Sequence, residues 1–286
     1  MFKKMPIRRT IISLALILIV GCAFAQKKSQ NAPWFFIQLT DPQFGMFDNN
    51  AGFEKETALY EKAVASINQL NPDFVVITGD LVHNNKSDSQ INEFKRITAK
   101  INHGIPVYYT PGNHDIGNIP DKQSIAKFEK DYGHDKFSFS HKGSVFIGFN
   151  TSLIKNGIQP DEQKQYKWLV SKLDKSQKAD HVILFCHYPF FNKAADEPEA
   201  YSNIGSPYRE KYLSLFESHK VTAVFSGHYH NNALSTYHGV QLITTSALGK
   251  PLGSAPSGMR IVKVYRDSIE HEYYGLDNIP ASISFK

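Results

Sequence analysis

Short apolar runs at 34–40, 74–78, 107–110, 145–150, 181–186 and 221–225 punctuate most of the chain, and each reads as a strand buried on both faces. Between the first two, Tyr60, Ala63, Val64, Ile67 and Leu70 recur at helical spacing and halt at Asn71-Pro72. Weaker helical patterns cover 89–102, 121–131, 161–175 and 207–219. Strands alternating with helices predict an α/β fold. The pattern then changes. Stretches 241–246, 259–265 and 268–274 read as successive strands, with Arg266-Asp267 at a hairpin turn, which adds antiparallel strands in a mixed sheet or a second sheet. No repeat, low-complexity tract or long linker divides residues 34–286, so one domain is expected there.

Composition narrows the class. With 41% apolar and 21% charged residues among 286, the chain has globular proportions. A mean hydropathy of −0.35 and a single long apolar run exclude a multi-span transporter. Two cysteines exclude a disulfide framework and a thiolate metal cluster. The apolar run itself, Ile11 to Gly21, follows Lys3, Lys4, Arg8 and Arg9 and precedes Cys22-Ala23-Phe24-Ala25. Basic start, short apolar core and A-x-A site describe a secretory signal over residues 1–25, with 26–33 a polar linker. Ile19-Val20-Gly21-Cys22 also resembles a lipobox, in which Cys22 would carry a lipid anchor. The protein is therefore expected to be periplasmic or secreted, or a lipoprotein held at Cys22. Taking the four basic residues of that segment from 32 leaves 28 against 27 acidic ones, so the net charge of +5 belongs mostly to the leader. No general nucleic-acid-binding surface and no obligate protein partner are expected.

The residues just after each strand carry the chemistry. The first run ends in Thr40-Asp41-Pro42-Gln43, the second in Gly79-Asp80, the third in Pro111-Gly112-Asn113-His114-Asp115. The fifth ends in His187-Tyr188-Pro189 and the sixth in Gly227-His228-Tyr229-His230. Carboxyl ends of parallel strands gather along one rim, where ligands bind. Singly, each segment has an ordinary explanation: a turn residue, a helix cap, a satisfied core histidine. Together they deliver oxygen and imidazole donors, and no thiol, to one place. Two divalent cations about 3.5–4 Å apart need a shared anion between them, and Asp80 is the natural bridging carboxylate. His228 and His230, two apart, would point to the same side of an extended chain, as would Asp41 and Gln43. Gly79 and Gly112 would let the backbone pass close to the ions.

This order of motifs resembles the calcineurin-like metallophosphoesterase superfamily, whose pattern runs D-x-H, G-D, G-N-H-D, H and G-H-x-H. The resemblance spans Asp41 to His230. The segments around Asp41, Gly112 to Gly117 and Ser226 to Asn231 look most like the branch of calcineurin-like phosphoesterase-domain-containing proteins, which includes a serine/threonine phosphatase. The expected leader departs from that cytosolic branch. The resemblance implies a four-layer α/β/β/α sandwich of mixed sheets flanked by helices, with the strands after His230 in the second sheet. It implies one cation held by Asp41, Gln43 and His230 and a second by Asn113, His187 and His228, with Asp80 bridging. His114 would face the substrate, its imidazole oriented by Asp115. Gln43 stands where many relatives place histidine; its amide oxygen is a weaker, harder donor, which favours Mn or Mg over Fe(III), with Zn also open.

The reaction so implied is hydrolysis of a phosphate ester by water activated at the ions, with His114 as general acid. A phosphomonoester is the favoured substrate and a diester the alternative; a non-catalytic phosphate- or metal-binding protein is the rival class, against which the His114-Asp115 pair argues. His83, Tyr229 and Asn150 are candidate substrate-binding residues, with Thr151 beside Asn150 a supporting position, and loops 44–53, 191–206 and 247–258 are expected to shape the choice of ester. No G-x-S-x-G elbow, Walker A loop or H-E-x-x-H helix supports another scheme.

Overall fold

The computed structural model describes Met1 and residues 32–286. The expected leader beyond Met1, with Cys22, and the linker up to residue 31 lie outside the described residues. Among the described residues no helix is long and apolar enough to cross a membrane.

Strand β1 (Trp34–Leu39) shows how the layers arise, because all six of its residues are buried. Trp34 and Phe36 point to one side and Phe35, Ile37 and Leu39 to the other, and each set joins a different apolar cluster. β1 runs parallel to β2 (Val75–Thr78), which runs parallel to β3 (Val107–Thr110). On its other edge β1 pairs antiparallel with β10 (Gly258–Val264), itself paired with β11 (Ile269–Gly275). The first sheet is thus β11-β10-β1-β2-β3. The second contains β4 (Phe137–His141), β5 (Ser144–Gly148), β6 (Val182–Phe185), β7 (Ala223–Ser226), β8 (Ala233–Tyr237) and β9 (Val240–Thr244) in the order β4-β5-β6-β7-β9-β8. Both sheets are mixed, as expected.

The sheets face one another across an aromatic seam. Phe36 stacks on Phe74 at 4.9 Å and meets Phe146, Phe185 and Phe225 edge-on at 5.7 to 5.9 Å. Outside the first sheet lie α1 (Glu54–Leu70) and α2 (Asp88–Thr98), joined by the Tyr60–Phe94 stack at 5.4 Å. The buried positions of α1 include Tyr60, Ala63, Val64 and Ile67, the spacing read from sequence, and its end is fixed by Asn71 in the left-handed region (φ 54°) donating to the Ile67 carbonyl. Outside the second sheet lie α6 (Asp161–Asp174) and α7 (Tyr208–Ser218), whose Leu169, Leu173, Tyr212 and Phe216 fill the fourth layer's core.

Two expectations change. The late strands do not all enter the second sheet: β9 does, whereas β10 and β11 complete the first, because β1 needs a partner for its free edge and takes it in the register Trp34↔Val264. Four short elements also interrupt what read as loops: α3 (Asn113–Ile116), α5 (Thr151–Lys155), β4 and β8.

Candidate metal centre

Each parallel strand hands its chain to a turn at the same rim. Beyond β1 and β2 the turns run side by side, with Asp41 N donating to the Gly79 carbonyl at 3.1 Å and Gln43 N to that of Asp80 at 2.9 Å. Asp41 (φ 51°), Gln43 (41°), Asp80 (49°), His228 (64°) and His230 (52°) all adopt left-handed backbone. Such conformations cost non-glycine residues about 1–3 kcal/mol each and persist where the surroundings impose them. Asp41/Gln43 and His228/His230 therefore converge through left-handed turns rather than through the extended chain that their spacing suggested. Gly112 is required for a different reason: a Cβ there would collide with the backbone and carboxylate of Asp80.

The side chains meet as two groups. Donor atoms of Asp80, His187 and His228 lie within 4.8 Å of one another, as do those of Asp41, Asp80 and His230, and all five residues are buried. Asp80 is common to both groups. Its Oδ2 is 3.3 Å from His187 Nε2, while Oδ1 accepts from the His114 backbone N–H at 2.8 Å. Asp41 Oδ1 lies 3.3 Å from His230 Nε2, and Asn113 Oδ1 lies 3.2 Å from His187 Nε2. All seven residues expected as ligands are at this rim.

Their outer hydrogen bonds aim them. His187 Nδ1 is 2.9 Å from the Thr78 carbonyl, His228 Nε2 3.1 Å from that of Tyr201, and His230 Nδ1 2.6 Å from that of Lys250. A ring nitrogen facing a carbonyl must carry the proton, so the opposite nitrogen points inward and is the one whose lone pair a cation would take. Asp41 Oδ2 accepts from Thr40 Oγ1 and from the His228 backbone, at 2.6 and 3.0 Å. Asp41 Oδ1 and Gln43 Oε1, by contrast, are buried with no hydrogen-bond partner among the described residues. An orphaned buried acceptor costs about 1–3 kcal/mol, and a cation would satisfy both.

Electrostatics agree. Burial opposes charge on His187, yet Asp80 and Asp41 carry it up to about 9. Burial and the neighbouring His187 push His228 down to about 3. Burial likewise works against the Asp80 carboxylate, but His187, His114 and His228 hold it well below the ordinary range. The cluster is short of positive charge, and a divalent cation would take over what protons supply in its absence. The residues present fit two such ions.

His114 lies beside this cluster on α3, half-buried, with Nδ1 2.9 Å from the His83 carbonyl, which leaves Nε2 free. Asp115 does not orient that ring. Its Oδ1 accepts from the Leu81 and Val82 amides and its Oδ2 from Gly112, so these hydrogen bonds brace the Asp80 turn against α3. His83 takes the orienting role instead, stacking on His114 at 4.6 Å. Asn150 is also reassigned. It is fully buried, caps α5 by accepting from Ser152 N, and donates to Asp135, so neither amide end is available to a substrate. Tyr229 is half-buried between the two histidines, and among the described residues its side chain makes no hydrogen bond to the cluster. Thr151 does support the centre, since its Oγ1 accepts from the His187 and Tyr188 amides. One participant was missed from sequence: Tyr201, whose hydroxyl meets Asn113. It sits in one of the loops expected to shape the site, but aperiodic sequence gave no reason to single it out.

Two groups of oxygen and imidazole donors that share one carboxylate, at the rim of an α/β/β/α sandwich, are suited to metal-assisted hydrolysis. The chain belongs to the calcineurin-like phosphoesterase family, whose profile matches residues 36–232. It is 36% identical over 276 residues to the serine/threonine-protein phosphatase CPPED1 of Homo sapiens, covering 89% of this chain and 88% of that one. The Danio rerio protein of the same name is 33% identical over 278 residues, covering 91% and 90%. Among solved structures, a dimetal phosphatase from Danio rerio superposes with a TM-score of 0.65 at 16% identity, covering 85% of this chain and 96% of that one. At that identity the likeness speaks for the fold. The protein is a hydrolase of phosphate esters.

Proposed function

We propose that this chain is an exported phosphatase that hydrolyses a phosphomonoester at a pair of divalent cations, Mn(II) favoured, with His114 as general acid. The observation that carries the proposal is the sharing of Asp80 by two ligand groups whose remaining donors include the orphaned Asp41 Oδ1 and Gln43 Oε1. Two bound cations supply electrostatic attraction for the phosphoryl oxygens and activate water near neutral pH. Asp41, Gln43 and His230 would hold one of them and Asn113, His187 and His228 the other, with Asp80 shared. His114, fixed through Nδ1 to the His83 carbonyl, keeps Nε2 free and gives its proton to the departing alkoxide. The oxygen of water ends on phosphorus and the ester oxygen leaves as an alcohol.

The Gln43 amide oxygen supports Mn(II) or Mg(II), the three imidazoles suit Zn or Fe, and a titration across Mn, Mg, Zn and Fe decides among them. Purified full-length protein with Mn(II) should turn over p-nitrophenyl phosphate faster than bis-p-nitrophenyl phosphate; the reverse order would make it a diesterase, and metal binding without turnover of either would support a binding protein. His114→Ala should lower kcat by about 10²–10⁴-fold with metal content unchanged; parallel loss of both would refute its role. The exported location rests on residues 3–25, and the intact mass of the mature protein separates cleavage after Ala25 from lipidation at Cys22. An unprocessed chain would refute both.

A further inference from the structure

The loop between β6 and α7 carries a tyrosine that touches the metal centre twice. Tyr201 Oη lies 3.1 Å from Asn113 Nδ2 and accepts its N–H, and the Tyr201 carbonyl lies 3.1 Å from His228 Nε2 and accepts that one. Its ring packs on the His228 imidazole with centroids 4.8 Å apart. Asn113 has one oxygen to offer a cation, and its amide can be turned either way with little change in shape. The donor end is held by the Tyr201 hydroxyl, so the oxygen end faces His187 Nε2 and the cluster. For His228 the carbonyl fixes the proton on Nε2 and leaves Nδ1 facing His187 Nε2 at 3.2 Å.

An aromatic side chain that is 62% exposed could meet these groups only occasionally if its loop were loose. The loop is instead locked on both sides. Buried Arg209 donates to the carbonyls of Ile204, Ala195 and Glu197. The Glu197 carboxylate accepts from the backbone of Asn192 and Lys193 and from the Asn203 amide, and Asn203 in turn accepts from Ala200 N. Tyr201 therefore arrives at the centre with its position already fixed, as a group that holds ligands must.

Given the dinuclear reading above, on which this inference rests, the geometry assigns Tyr201 as a positioning residue for the second cation, acting through Asn113 and His228 and linking occupancy of that site to the 191–206 loop. Outer-shell partners of metal ligands typically matter by about 10–100-fold in affinity. The test is calorimetric titration of the metal-free full-length protein with Mn(II), with Co(II) absorption as a second readout of ligand geometry. Wild type should take two ions. Tyr201→Phe, which removes only the hydroxyl, should weaken one binding event by about tenfold or more, leave the other in place, shift the Co(II) spectrum, and keep the Tm of the metal-free protein. Tyr201→Ala should weaken the same event further. Unchanged affinities and spectra in both variants would overturn the assignment. So would a lowered metal-free Tm with both affinities intact, since that describes a merely structural contact. A wild type that binds a single ion would overturn the dinuclear reading itself, and this inference with it.

Discussion

The side-chain amide nitrogen of Gln43 lies 3.3 Å from Nδ1 of His83, and this contact decides which end of the amide is left for a cation. With the nitrogen occupied, Oε1 stays buried and unpartnered. Burial, and secondarily the neighbouring His114, hold the His83 imidazole below its ordinary pKa, so it serves as a neutral acceptor. His83→Leu should release the amide and weaken the first cation by about tenfold or more, read by calorimetric titration with Mn(II). Gln43→His should tighten the same event, because imidazole is the stronger donor. An unchanged affinity in both variants would show that Gln43 does not bind the ion.

Asp80 is the one carboxylate common to the two groups. Asp80→Asn keeps the shape and removes the charge that two cations share, so the purified variant should hold at most one ion by elemental analysis. A doubly loaded variant would show that the two sites do not depend on a common anion.

A pH dependence of stability arises where β10 and β11 face the second sheet. Among the described residues buried Arg260 has no carboxylate partner; it donates to Thr245 Oγ1, Asn232 Oδ1 and His271 Nδ1. Burial, and then the Arg260 charge, push His271 down to about 4 from the usual 6.5. The folded state thus holds His271 neutral while the unfolded chain binds a proton below about 6.5, and stability falls as pH drops from there to about 4. His271→Gln keeps an acceptor and does not titrate. Its Tm should lose less than that of wild type between pH 7 and 4; equal losses would exclude His271 as a source.

Phe36 meets aromatic rings from both sheets and is fully buried. Phe36→Ala should therefore cost about 3–5 kcal/mol, measured by urea unfolding of the metal-free protein. A cost below about 1 kcal/mol would mean that the seam closes over the gap.

Much of this was legible in the chain because the strands that feed the site are continuous apolar runs and the residues after them are of metal-binding types. The features that escaped had physical reasons. Phe137–His141 and Ala233–Tyr237 are sheet-edge strands with alternating exposure, so they lack the continuous apolar signal of their neighbours. The helices at Asn113 and Thr151 are of four and five residues, too short to show a period. Spacing placed Asp115 next to His114, but burial decides its partners, and backbone amides won. Tyr201 is recruited from a loop whose shape depends on Arg209 and Glu197, a long-range arrangement that periodicity does not encode.

Asp41, Gln43, Asp80 and Asn113 leave the ends of one sheet, whereas His187, His228 and His230 leave the other. Neither half owns a complete pocket. A chain in which only one sheet has formed offers four oxygen donors or three imidazoles, but never the full coordination. Cations that bind only the finished arrangement would stabilise it by mass action, fastening the two halves like a clasp, and their uptake would report that assembly is complete.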